Sequence, residues 1–118
     1  MIDKKDLRKT LNLFRTCGPL FLALGDRVRQ HLVLDIANAG KDGMNVTDLT
    51  ANNNLSRPAI SHHLKVLKDC GLVQSYKAGT QVYYCISLRK NFEDMKALLD
   101  SIEQIVDKIG GTDTVLAT

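Results

Sequence analysis

The 118-residue sequence has no Trp and only three Phe and three Tyr, so aromatic side chains make up 5% of the chain. A stacking platform for sugars or single-stranded nucleic acid has little to be built from. Cysteine is equally sparse. Cys17, Cys70 and Cys85 form neither a Cys-x-x-Cys pair nor an even disulfide framework, which fits the reduced thiols of a cytoplasmic protein. No apolar run approaches the roughly 20 residues that span a bilayer, so membrane insertion is not expected. The stretch from Cys17 to Gly25 follows Lys4, Lys5, Arg8, Lys9 and Arg15 and imitates a secretory leader. Asp3 and Asp6 interrupt its basic region, however, and Leu7, Leu11, Phe14 and Gly18 keep a helical rhythm, which reads as an amphipathic helix. There is no paired acid/base set, no Gly-rich phosphate loop and no Ser/His/Asp or Cys/His order with supporting context, so an enzyme is not expected.

At 44% hydrophobic and 25% charged, the composition is that of a globular domain. The length predicts one domain over residues 1–110 with a flexible tail over 111–118. The net charge is only +3, but its distribution is uneven. Between Ser56 and Lys90 the positives are Arg57, Lys65, Lys68, Lys77, Arg89 and Lys90 against the single negative Asp69, a net of +5 that leaves −2 for the rest. A basic segment of this kind is either a solvated face or an electrostatic footprint for nucleic acid.

Apolar spacing predicts a helix from about Lys4 to Cys17, with Leu7, Leu11 and Phe14 on one stripe, ended by Gly18-Pro19. A short apolar turn follows to Leu24. A second helix opens at Asp26 as N-cap and buries Val28, Leu32, Leu34, Ile36 and Ala37 before Asn38, Gly40 and Gly43 break it. A short third helix takes Thr47 as N-cap and turns Leu49 inward. The fourth starts at Ser56 and runs to about Asp69; Ile60, Leu64 and Leu67 recur at i, i+4 and i+7 on one face, leaving Arg57, Ser61, His62, Lys65 and Lys68 largely on the other. Gly71 caps its end.

The period then changes. Leu72–Lys77 and Gln81–Ser87 alternate around Ala78-Gly79-Thr80, which predicts a β-hairpin. A last helix over 92–109 carries Phe92, Met95, Leu99, Ile102, Val106 and Ile109 as a seam of the kind that packs helix on helix. The fold class that follows is mainly α with a small β-hairpin, a winged helix-turn-helix. Its helix-turn-helix covers 47–70 and its β-wing 72–87. In such a fold Ser56, Arg57, Ser61, His62 and Lys65 on the fourth helix can meet base edges and phosphates in the major groove of double-stranded DNA. Lys77, Thr80 and Gln81 at the hairpin tip can reach the flanking backbone.

The stretches LFLALGDRVRQHLVLDIA, NVTDLTANNNLSRPAISHHLKVLKDCGLV and YKAGTQVYYCISL resemble the ArsR/SmtB family of small homodimeric repressors. The resemblance covers about residues 20–88. It rests on the combination of Asp48-Leu49, Ser56, Ser61, His63-Leu64, Leu67, Gly71-Leu72-Val73 and Tyr83-Tyr84. It implies a homodimer built through the first and last helices, 4–24 and 92–109. It also implies repression from an inverted-repeat DNA site and release by an inducer. The family's inducer sites do not carry over. The stretch Met44-Asn45-Val46-Thr47-Asp48 holds none of the thiols that metal-sensing members place there. The last helix has no His, and Asp94, Asp100, Glu103 and Asp107 make an oxygen-only set ill suited to soft or borderline metals. Arg27 replaces the Pro usual after the capping Asp.

No metal site and no certain cofactor is therefore expected, and the inducer stays open between a metal at an atypical site, an oxidant, a reactive sulfur species and no direct ligand. His62 and His63 are adjacent and point about 100° apart on a helix, so they cannot chelate one ion together. His63 reads as a packing residue and His31 as a surface or core one. Cys70 and Cys85 read as buried small hydrophobes. Cys17, at the end of the first helix, is a candidate thiol sensor through the dimer interface, weighed against a plain packing role. The other function class consistent with these features is a winged-helix protein-interaction module without DNA binding.

Overall fold

A computed structural model describes residues 2–110, and the expected tail over 111–118 lies outside the described residues. The elements in chain order are α1 (Lys4–Leu24), α2 (Arg27–Asn38), a 3-10 turn (Gly40–Asp42), β1 (Met44–Asn45), α3 (Val46–Asn53), α4 (Arg57–Asp69), β2 (Val73–Ala78), β3 (Gln81–Ile86) and α5 (Arg89–Ile109). They divide into two compact units, Pro19–Asn91 and the described parts of Met1–Gly18 with Phe92–Thr118. No helix among the described residues is long and apolar enough to cross a membrane.

The 19–91 unit is built on a leucine-rich centre. Leu32 and Ile36 of α2, Leu49 of α3, Ile60, Leu64 and Leu67 of α4, and Leu72 are completely buried. Each such side chain contributes about 1.5–3 kcal/mol of burial free energy. The expected inward set of α4 is thus correct, whereas Leu34 of α2 is 66% exposed and Ala37 is also outside. Polar ends hold the helices in place. Asp26 accepts from the Arg29 backbone N–H at 3.0 Å, as expected of the N-cap of α2. That hydrogen bond, with the Arg29 charge, holds its carboxyl below the ordinary Asp value. The cap's contribution is therefore present above the unfolded-state pKa and lost as pH falls through the lowered one.

The cap of α3 differs from the sequence expectation. Asn45, not Thr47, is the N-cap, its Oδ1 accepting from Asp48 N at 2.8 Å. The reason is topological. Met44 and Asn45 form a two-residue strand paired with Tyr84 and Tyr83, which brings the chain to the helix in extended form two residues earlier. The sheet consequently has three antiparallel strands in the order β1-β3-β2, not a bare hairpin. A two-residue strand carries too few alternations to be read from periodicity.

Between α3 and α4 the chain turns on Asn54, which takes the left-handed conformation (φ 51°) that Asn tolerates better than most residues. Ser56 then caps α4, accepting from Ala59 N at 3.3 Å, with Pro58 in the first turn where no helical N–H partner is missed. Replacing Ser56 with Ala is expected to lower stability by about 1 kcal/mol in a denaturant titration, with no change in slope. At its other end α4 closes in a Schellman motif: Leu72 N donates to Leu67 O and Gly71 N to Lys68 O, both at 3.0 Å, with Gly71 at φ 82°.

In the other unit, α1 does not stop at Gly18-Pro19 but carries Pro19 inside the helix. Proline disfavours a helical predecessor partly by clashing with its Cβ, and Gly18 has none. Cys17 therefore lies within α1 and not at its end, and it is 1% exposed. The buried residues of this unit are Thr10, Cys17, Leu98 and Ser101. Thr10 donates to Asp6 O at 2.9 Å, so its single proton is used and Ser101 is the donor in their hydroxyl pair. Lys108 forms an ion pair with Asp6, which raises the Lys108 pKa.

The two apolar stripes read from sequence fall elsewhere than in this core. Leu7, Leu11 and Phe14 are 45–49% exposed, and in the last helix Phe92, Leu99 and Ile109 are 54–60% exposed while Leu98 and Ser101 point inward. Periodicity finds an apolar face but does not say what covers it. The helices thus carry a second apolar face, and Leu7, Leu11 and Phe14 line an open groove with Thr10, Ile102 and Ile105.

Candidate nucleic-acid interface

Helix α4 separates its two characters cleanly. Ile60, Leu64 and Leu67 are buried, and Arg57, Ser61, Lys65 and Lys68, related by i, i+4, i+8 and i+11, form an exposed stripe flanked by exposed His62. Helical periodicity makes this separation, since one row faces the core and the next faces out. The expected site residues Ser56, Arg57, Ser61, His62 and Lys65 all lie on this outer side or at its cap.

Their polar ends are partly engaged. The Ser56 hydroxyl serves as the helix cap. Arg57 Nη1 donates to Thr47 Oγ1 at 2.9 Å, joining the first turns of α3 and α4. Lys65 Nζ donates to Asp69 at 2.8 Å in an exposed i, i+4 pair, which raises the Lys65 pKa and keeps the ammonium charged. Exposed pairs of this kind are worth about 1 kcal/mol or less and are readily exchanged for another anion. Lys68 Nζ donates to Ser75 Oγ at 2.8 Å, tying the end of α4 to the first strand of the wing. From sequence Thr47 reads only as a helix cap, and Ser75 carries no signal. Their roles depend on which cation folds back to reach them.

The wing presents Lys77, Thr80 and Gln81, the other expected site residues, on an exposed tip. Ala78 pairs with Gln81, leaving Gly79-Thr80 as a two-residue turn. Positive φ is confined to Gly79 (66°), the pattern of a type II′ turn, whose twist suits a hairpin and which favours Gly at its first central position. Behind the tip, Tyr76 and Tyr83 stack with ring centroids 5.6 Å apart, and the Tyr76 hydroxyl donates to Asp42 O at 2.6 Å. Desolvation and the Asp42 carboxylate raise the Tyr76 pKa, so the donor proton is retained.

On the inner flank of α4, His63 is half-buried. Its Nδ1 lies 3.2 Å from Arg29 Nη1. Arg29 also donates through Nε to Ala23 O at 2.7 Å and through Nη2 to Leu22 O at 3.1 Å. His62 and His63 have ring centroids 5.8 Å apart and tilted planes. No three His, Cys, Asp or Glu side chains converge in a metal-holding arrangement among the described residues. Cys70 and Cys85 are half-buried, not buried as the sequence suggested. The Cys70 thiol donates to Leu67 O at 3.3 Å.

The arrangement is an exposed cationic helix stripe, capped and packed from behind, beside a small exposed hairpin tip. Comparison with known proteins points the same way. Residues 39–75 match the family described as bacterial regulatory protein, arsR family. The transcriptional repressor SdpR of Bacillus subtilis (strain 168) is 32% identical over 68 residues, covering 58% of this chain and 72% of that protein. The arsenical resistance operon repressor of the same organism is 32% identical over 87 residues, 74% of this chain and 77% of that protein. The solution structure of a homodimeric winged helix-turn-helix DNA-binding domain from Mycobacterium bovis superposes with a TM-score of 0.60 at 23% identity, covering 92% of this chain and 88% of that one. With α3 and α4 followed by the β2-β3 hairpin of a three-stranded antiparallel sheet, the chain is a winged helix-turn-helix protein and belongs to the ArsR family of transcriptional regulators.

Proposed function

We propose that this protein is a sequence-specific repressor that binds an inverted-repeat site in double-stranded DNA as a homodimer. The observation that carries this reading is the exposed row Arg57, Ser61, Lys65 and Lys68 on a helix whose opposite row is completely buried. Such a helix can enter a major groove without unfolding anything, and the wing tip with Lys77, Thr80 and Gln81 can touch the flanking backbone. The second apolar faces of α1 and α5 support the dimer, since Leu7, Leu11, Phe14, Phe92, Leu99 and Ile109 leave more apolar surface in water than one chain needs to. The Mycobacterium bovis neighbour is homodimeric. Two copies set the reading helices one DNA turn, about 34 Å, apart.

The test is binding of the purified protein to DNA from its own promoter region across a salt series. Wild-type affinity is expected to fall steeply with salt. Lys65→Gln and Lys77→Gln should each weaken binding to all sequences and reduce the salt slope by about one. Ser61→Ala and His62→Ala should change which base is preferred, by about 1–3 kcal/mol at one position of each half-site. Losses independent of sequence in all four variants would remove Ser61 and His62 as base readers. No salt-sensitive binding in the wild type would favour the protein-interaction reading.

For the inducer, Cys17 is the thiol to test. Cys17 is 1% exposed, so an oxidant reaches it only after the structure around it opens. Release from DNA by oxidant that persists in Cys17→Ser would exclude a switch at this position.

A further inference from the structure

Apolar burial fixes which side of α4 faces inward, but it is non-directional and specifies the rotation of the helix about its axis only loosely. A directional constraint lies next to Leu64. The Arg29 guanidinium reaches three acceptors at once, the carbonyls of Leu22 and Ala23 and the His63 ring. Leu22 and Ala23 belong to the last turn of α1, whose carbonyls lack helical partners. Because a guanidinium is always charged and only donates, His63 Nδ1 must be the bare, accepting nitrogen of its ring.

We propose that Arg29 is a positioning residue for DNA binding: by spanning the end of α1 and His63 it sets the rotation of α4, and with it the direction in which Ser61 and His62 point. Ser61 and His62 precede His63 immediately, so a rotation that moved the His63 ring would re-aim both. A planar fork can satisfy acceptors in three directions, whereas an ammonium on a flexible stem cannot hold the same geometry. Charged groups flank the clamp on both sides. Asp26, the α2 cap, accepts from the Arg29 backbone and interacts favourably with the Arg29 charge. Asp69, held by Lys65, lines with Arg29, Val66 and Cys70 the shallow cleft beside the guanidinium. The His62 ring is the remaining titratable neighbour on α4.

This inference rests on the DNA-binding reading above, and the experiment separates the two. Binding to the promoter fragment is measured over a salt series for wild type, Arg29→Lys, His63→Ala and the double variant, with thermal melts to establish folding. The expected result is a loss of about tenfold in Arg29→Lys although charge is kept. The slope against salt should be unchanged, the loss in His63→Ala similar, and the double variant no weaker than either single one. Wild-type affinity in Arg29→Lys, losses that multiply in the double variant, or a salt slope lowered by about one in a charge-removing Arg29→Gln variant would overturn the clamp. The last result would make Arg29 a phosphate contact. Should Arg29→Lys fail to fold, the imidazole ¹⁵N spectrum of the wild-type protein decides. A bare Nδ1 with protonated Nε2 on neutral His63 supports the proposal, and a protonated Nδ1 overturns it. Absence of salt-sensitive wild-type binding would overturn the DNA-binding reading and the clamp together, whereas steep wild-type binding with an indifferent Arg29 would overturn the clamp alone.

Discussion

Leu99→Glu is expected to separate the proposed homodimer into monomers in sedimentation and to lower affinity for an inverted-repeat site by about 10²–10⁴-fold. Linking two half-site contacts gives the second one an effective concentration, and that advantage disappears when the copies separate. Leu99 suits this test because it is 60% exposed on α5 while its neighbour Leu98 is 1% exposed. A carboxylate at position 99 therefore stays in water in a single chain but would be buried in the proposed interface between two copies, where an unpartnered charge is strongly unfavourable. A variant that sediments as a dimer with wild-type affinity would show that the exposed seam of α5 is not the interface.

The largest expected loss of stability comes from the glycine just before β1. Gly43 has φ 75° and ψ −160°, a region essentially reserved for glycine. A Cβ built there would overlap the carbonyl oxygen of Tyr84 and lie 2.7 Å from its carbonyl carbon. Both obstacles are backbone, so neither can swing away. Gly43→Ala should cost about 2–4 kcal/mol, combining backbone strain with overpacking. It should also disturb the pairing of Met44 with Tyr84 that places β1 beside the wing. Gly40 is the internal control. It has φ 79° with nothing within 4 Å of its would-be Cβ, so Gly40→Ala should cost only the strain, about 1–2 kcal/mol. Equal losses in the two variants by urea denaturation would refute the role of the Tyr84 clash.

Much of α4 is legible in the sequence because every level agrees there. Ser56 supplies the cap, Pro58 occupies the first turn, Ile60, Leu64 and Leu67 keep one row, and Gly71 supplies the left-handed residue of the closing motif. Agreement of local signals with the tertiary role is what makes a segment readable. Where signals conflict, the reading fails for identifiable reasons. Pro19 reads as a stop, but Gly18 before it removes part of the clash that makes a proline stop a helix. Thr47 reads as a cap because the two-residue strand that moves the cap to Asn45 is too short to carry a period.

The apolar rows of α1 and α5 are legible as faces that pack helix on helix, and in a single chain Phe14 and Leu99 of those rows stay exposed. Sequence records that Phe14 and Leu99 are apolar, not which chain covers them. The candidate DNA-facing residues were legible individually. Their engagement with Thr47, Asp69 and Ser75, and the Arg29 contact with His63 across 34 residues, depend on tertiary geometry that no local spacing encodes.

The most direct test of the account is a hydroxyl-radical footprint of the wild-type protein on DNA from its own promoter region. Two protected half-sites, related by inverted symmetry and centred about one helical turn apart, are the predicted result. A single asymmetric protected tract, or no protection at a salt concentration where the protein is folded and dimeric, would contradict it.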